Sequence, residues 1–151
     1  MQGSVKTVTL DEKRYDIRKM TPYKAGYIWQ LLMRAAFKAS QDAAKSSGVE
    51  EPPEQQQAPV EERLRGFCAM AFMYMDFDSF QFMQNECMQV ISRWESLAGQ
   101  PEVPIPIMVE PGKWAAKEVA EDPLLVTRLT IEAIGHNCAG FLGEPRTQQQ
   151  K

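Results

Sequence analysis

The chain has 151 residues, is 44% hydrophobic and 25% charged, and carries a net charge of −3. That composition fits one domain of ordinary size with one core, and it excludes a chain disordered throughout. No apolar run approaches the roughly 20 residues of a membrane helix, Met1-Gln2-Gly3-Ser4 lacks the apolar stretch of a signal peptide, and three widely spaced cysteines argue against a disulfide framework.

The charge is uneven. Residues 1–45 hold nine Lys/Arg and four Asp/Glu, whereas residues 46–151 hold eight and sixteen. Opposite signs on two segments can steer one against the other, within a molecule or between copies. The basic residues are interspersed with acids and form no block, so no nucleic-acid partner is expected.

Val5–Leu10 and Arg14–Lys19 read as two short strands around Asp11-Glu12-Lys13, with Val8, Leu10, Tyr15 and Ile17 at period two. A lone hairpin is marginal in water and needs a cover, and its free edge offers pairing to another copy. Thr21-Pro22 is a helix start, a capping hydroxyl followed by a proline whose missing donor costs nothing in the first turn. The helix should run to about Lys45, with Ala25, Ile28, Trp29, Leu32, Ala36 and Ala39 on one stripe. Residues 46–58, SSGVEEPPEQQQA, contain almost nothing apolar to offset the entropy of ordering, and a flexible loop is expected.

Pro59 opens a second predicted helix to about Met75, with Leu64, Phe67, Cys68, Ala71 and Met75 on its stripe and Met70, Met73, Tyr74 and Phe77 off it. Asp78 is placed to cap a third helix from Ser79 to Ala98, whose stripe is Phe80, Met83, Cys87, Val90, Ile91, Trp94 and Leu97, with Gly99 ending it. Four prolines in residues 100–112 forbid a helix and favour an extended run with a short edge strand near Ile107–Val109. Lys113–Ala120 can form a short helix. Asp122-Pro123 starts the last one, to about Ala139, with Leu124, Ile131, Ile134 and Cys138 on one face. Gly140 and Gly143 end it, and residues 144–151 form a polar, frayed tail. The expected fold is therefore a single, mainly α domain: an N-terminal β-hairpin at residues 1–20, then a bundle of four to five helices over 21–45 and 59–143.

Signs of chemistry are few. His136 is the only histidine, and with Cys138 it supplies too few ligands for zinc in the absence of any CxxC pair. Asp76 and Asp78 flank Phe77 at a helix junction, where carboxylates usually cap. No phosphate-binding loop, dinucleotide fingerprint or nucleophile elbow is present. No catalytic residue, cofactor or metal is assigned, and the chain is expected not to be an enzyme. Residues 67–83, FCAMAFMYMDFDSFQFM, concentrate phenylalanine and methionine instead. Part of that segment fills the core, and the rest suits an adaptable contact surface, with Met70, Met73, Tyr74, Phe77 and Phe82 the candidate partner-binding residues.

The opening VKTVTLDEKRYDIRKMTPYKAGYIWQLL, a hairpin leading through Arg18–Pro22 into a helix, and the ending LTIEAIGHNCAGFLGE, a closing helix with a Gly-Phe turn, resemble the tail assembly chaperones of long-tailed bacteriophages. The resemblance implies a protein of the host cytoplasm that coats the long helical tape-measure protein, helps recruit tail-tube subunits and is absent from the mature virion. It implies partners in the tape-measure and tail-tube proteins, and a second form made by frameshifting in many members. The alternative is a structural, head–tail completion or adaptor protein acting through protein–protein contacts. A homo-oligomer is expected, since hairpin edge and Met-rich face both need covering, and neither membrane nor nucleic acid is an expected partner.

Overall fold

The computed structural model describes residues 4–46, 59–96 and 98–142. Strand β1 (Lys6–Leu10) turns into β2 (Lys13–Ile17), and helix α1 (Pro22–Ser46) follows. Helices α2 (Val60–Met73) and α3 (Phe77–Gln89) come next. The chain then returns to the sheet as β3 (Ile91–Ser96) and β4 (Glu102–Pro106). A small ribbon of β5 (Met108–Glu110) and β6 (Lys113–Trp114), helix α4 (Lys117–Ala120), helix α5 (Pro123–Cys138) and a 3-10 turn (Ala139–Leu142) complete it.

The mainly α expectation is therefore corrected. The strands form a four-stranded antiparallel sheet in the order β1-β2-β3-β4, and the fold is α+β. The predicted third helix is half a helix. It stops at Gln89, and Ile91–Ser96 is a central strand between β2 and β4. Its strand pattern is alternation: Ile91 and Arg93 face the helices beside Ile17 and Tyr15, while Ser92 and Trp94 face the other way. Gly99, expected to end a helix, sits at φ +72° in the β3–β4 connection. The short strand expected near Ile107–Val109 is present as β5, in the separate ribbon, and the edge strand of the four-stranded sheet is the earlier Glu102–Pro106. Lys113–Trp114 is strand, so the short helix there begins only at Lys117.

Other boundaries also differ. The β1–β2 turn has two residues, Asp11 and Glu12, both at positive φ, which is the twist that matches a tight hairpin. Asp76, two residues before the expected cap Asp78, accepts from Ser79 N at 2.9 Å, so α3 starts at Phe77. On α5 the buried face is Leu125, Val126, Leu129, Ala133, Ile134 and Cys138, and Leu124 is exposed. Residues 47–58 and 144–151, expected as loop and frayed tail, lie outside the described residues.

Helices α3 and α5 pack together over the inner face of the sheet, and α1 and α2 lean on α5. Tyr15, Ile17, Ile91, Met83, Met88, Leu129 and Ile134 form the centre of this core. Trp29 of α1 stacks between Phe67 of α2 and Phe141 of the 3-10 turn, with ring centroids 5.4 and 5.3 Å away. Where α2 meets α5, a Cβ on Gly135 would stand 2.9 Å from Leu64 Cδ2, so the crossing is tight.

One charge is buried on the inner face. Arg93, 8% exposed, donates from Nε to Glu95 at 2.8 Å and from Nη2 to Glu118 of α4 at 3.0 Å. Paired in this way, the guanidinium ties α4 to the sheet, where an unpaired one would be strongly destabilising.

Candidate functional site

The described surface carries one concentration of aromatic and methionine side chains that follows from how α1, α2 and α3 meet. Helix α3 runs back along α1. Lys24 pairs with Glu86 at 2.9 Å, Tyr27 meets Phe82 edge-on at 5.4 Å, and farther along the same seam Leu31 and Lys38 face Met75, Asp76 and Ser79. The seam widens at the α2–α3 turn into a groove of about 390 Å³, bordered by Phe37, Lys38 and Gln41 on one side and Tyr74, Met75 and Asp76 on the other.

Three apolar side chains stand out of the protein around this groove: Phe37 at 64% exposed, Met73 at 79% and Phe77 at 71%. Met73 ends α2 and Phe77 begins α3, so both flank Tyr74 across the three-residue turn. Tyr74 itself is half-buried, and its bond to Asp42 of α1 raises the phenol's pKa and anchors the turn to α1. Asp76 fixes the other side of the turn, its carboxyl pKa lowered first by the bond from the Ser79 backbone and helped by Lys38. A turn held by these bonds therefore presents two water-exposed apolar side chains. Such display costs hydration free energy unless a partner removes the area from water.

The five sequence-derived candidates do not share one place. Met73, Tyr74 and Phe77 lie together at the turn. Met70 lies one turn earlier on α2, and Phe82 is engaged with Tyr27 on the α1–α3 seam, each 38% exposed. Phe37 and Tyr27 were not singled out in the sequence. Their signal was there: with Tyr23 they occupy the polar side of the α1 stripe, where large aromatic residues have no core to fill.

A second groove, about 620 Å³, opens between β1, α2 and α5, with Val8, Leu64 and Ile131 among Lys6, Lys19, Arg65, His136, Glu61 and Glu132. Most of its charges are engaged. Lys6 pairs with Glu132 at 3.1 Å, Lys19 Nζ donates to the His136 carbonyl, and His136 Nε2 lies 3.1 Å from the Ser4 carbonyl. Burial, with Lys19 and Lys6 nearby, lowers the His136 pKa. The imidazole thus meets the Ser4 carbonyl, and its hydrogen-bond partners among the described residues include no nucleophile. Cys138 Sγ points instead to Ala25 O at 3.7 Å. All three cysteines are free and buried, and burial pushes Cys68 and Cys138 up to about 12. Among the described residues no group of three His, Cys, Asp or Glu is arranged to hold a metal.

Comparison with family models, with curated proteins and with solved structures finds no match for this chain.

Proposed function

We propose that the chain is an assembly chaperone of the phage-tail kind, holding apolar stretches of a tape-measure protein and helping tail-tube subunits to join it. The observation that carries this reading is the exposure of Met73 and Phe77 on a turn pinned by Tyr74–Asp42 and Asp76–Ser79, beside Phe37. A long helical client presents apolar side chains at i, i+3, i+4 and i+7, and such a stripe seats in a shallow apolar groove. Methionine adapts to the varied spacing of a long client, since its unbranched chain repacks at little cost. The sequence resemblance at residues 5–32 and 129–144 supports the same reading. The site of action is the host cytoplasm, with the protein leaving before the virion is complete; among the described residues no helix is long and apolar enough to cross a membrane.

The test is co-expression with the tape-measure protein of the same genome, followed by co-purification. Wild type should retain it, and M73D/F77D should lose it. Burying one Met or Phe side chain is worth about 1.5–3 kcal/mol, so losing both should weaken binding by on the order of a hundredfold or more. Unchanged retention by the double variant would refute the site. Mass spectrometry of purified virions supplies the second arm: finding the chain in finished particles would replace the chaperone with a structural component.

A further inference from the structure

The two edges of the sheet are not alike. In the β1–β2 hairpin, Leu10 and Lys13 close a two-residue turn. That makes them an exchanging pair, and the alternation then directs the N–H and C=O groups of Lys6, Val8 and Leu10 toward β2. Those of Thr7 and Thr9 point away, along the free edge. The same count holds across the sheet: Arg18 N bonds Val90 O at 2.9 Å and Ile107 N bonds Ile91 O at 3.1 Å, as the alternation requires. On the opposite edge the outward positions of β4 are therefore residues 102, 104 and 106. The last two are proline, so beyond Glu102 at its start β4 offers no N–H to a further strand. Such prolines are how natural sheets close an edge to pairing. Edge β1 has no such block, and Thr7 and Thr9 are both exposed.

We propose that β1 pairs antiparallel with β1 of a second copy, joining two four-stranded sheets into one of eight strands. The strand is complementary to itself in that direction. With Val8 opposite Val8 on the two-fold axis, Thr7 lies opposite Thr9 on the outer face and Lys6 opposite Leu10 on the inner face. Threonine pairs and apolar pairs across strands are favourable, and no like charges meet. The ends match as well: Lys6 of one copy arrives beside Asp11 and Glu12 of the other, whereas a parallel arrangement would bring Lys6 to Lys6 and acid to acid. Helix α5 holds each edge ready, through Lys6–Glu132 at 3.1 Å and Arg128–Asp11 at 3.5 Å. The inner-face row of the joined strands closes over the apolar floor of the adjoining groove at Val8 and Ile131. This surface is separate from the Met73–Phe77 turn, so it would serve with or without a client.

The full chain is examined by sedimentation equilibrium alongside Thr9→Pro. The Thr9 amide is not used within the hairpin, so the proline removes the outward donor and leaves the β1–β2 ladder whole. Wild type should sediment at twice the chain mass, and T9P at the chain mass with the circular dichroism of wild type. A monomeric wild type at every soluble concentration would overturn the proposal, as would a T9P chain that is folded and still dimeric. Should T9P fail to fold, Val8→Cys decides. Residues facing across the axis are close enough to cross-link, so V8C should give a disulfide-linked dimer under mild oxidation and Val103→Cys, on the blocked edge, should not; a V8C chain that stays monomeric on a non-reducing gel, or one that cross-links no faster than V103C, would equally overturn it.

Discussion

Glu12→Gly should make the protein more stable, although it deletes a side chain and adds a glycine. Asp11 and Glu12 sit at φ +53° and +67°. Left-handed backbone costs an ordinary L-residue roughly 1–2 kcal/mol. Asp is among the residues that tolerate it and Glu is not, so most of the strain lies at Glu12. Glycine relieves that strain and returns about 0.5–1 kcal/mol through the greater entropy of its unfolded chain. The balance is a gain of about 0.5–1 kcal/mol. Within one copy nothing else is lost, since Glu12 is exposed and takes part in no ion pair among the described residues, while Asp11 keeps its contact with Arg128; any contact with a second copy is lost equally in the alanine control. Urea unfolding with an unchanged slope should place the E12G midpoint higher by a few tenths molar. Glu12→Ala is the control: it removes the same carboxylate and keeps the strain, so it should match wild type. If E12G is no more stable than E12A at equal protein concentration, the turn does not have the left-handed geometry assigned to it.

The three thiols should resist a thiol-specific disulfide reagent near pH 8 in the folded protein and all react once it is unfolded, because burial holds Cys68 and Cys138 up to about 12 and Cys87 well above the ordinary value; fast labelling of the native chain would refute the buried assignment. His136 has a pKa lowered by burial from the ordinary 6.5. The unfolded chain therefore takes up the proton first, so the contribution is full above about 6.5 and is lost as the pH falls from there toward the folded value. H136Q should flatten that part of a stability–pH curve and leave the acid limb below it unchanged. Ile91→Ala should cost about 2–5 kcal/mol, as a buried aliphatic truncation does, whereas Met73→Ala should lie within about 0.5 kcal/mol of wild type; a chemical melt of each would show whether the core and the exposed turn have been told apart correctly.

Much of the helical frame was legible because it rests on local signals. Thr21-Pro22 and Asp122-Pro123 start helices where capping chemistry says they should, with Thr21 Oγ1 accepting from Lys24 N at 3.2 Å and Asp122 Oδ1 from Leu125 N at 3.2 Å. Beyond its first hairpin the sheet was not legible, for a physical reason. Cys87, Val90, Ile91 and Trp94 fall at three- and four-residue steps, so the end of α3 and two residues of β3 that face opposite sides of the sheet read together as one continuous helical stripe. The strand's own alternation is disguised, because its inner position 93 is an arginine whose charge is satisfied by Glu95 and by Glu118, the latter 25 residues farther along. Period-two reasoning sees a polar residue there and assigns it to solvent. The hairpin turn was misjudged by one residue in the same way, since Asp-Glu lacks the Asn-Gly chemistry that marks a two-residue loop.

The candidate site shows the reverse case, in which a local rule points to a surface because the rule fails. Met73 and Phe77 fall off the buried stripe of α2, and Phe37 and Tyr27 fall on the polar side of α1. The fold gives none of the four a place in its core, although it holds the backbone beneath them firmly. Stability alone would replace Met73 and Phe77 with charged residues at no cost to the core and with a gain in solubility. The sheet edges follow the same logic. Pro104 and Pro106 occupy two of the three outward positions of β4 and block most of it, while Thr7 and Thr9 leave β1 open. A chain that blocks one edge and leaves the other able to pair, and that exposes apolar side chains on a pinned turn, has features whose benefit lies outside its own folding. A reading confined to stability would have to explain why both the open edge and the exposed turn persist in a molecule that has the means to close them.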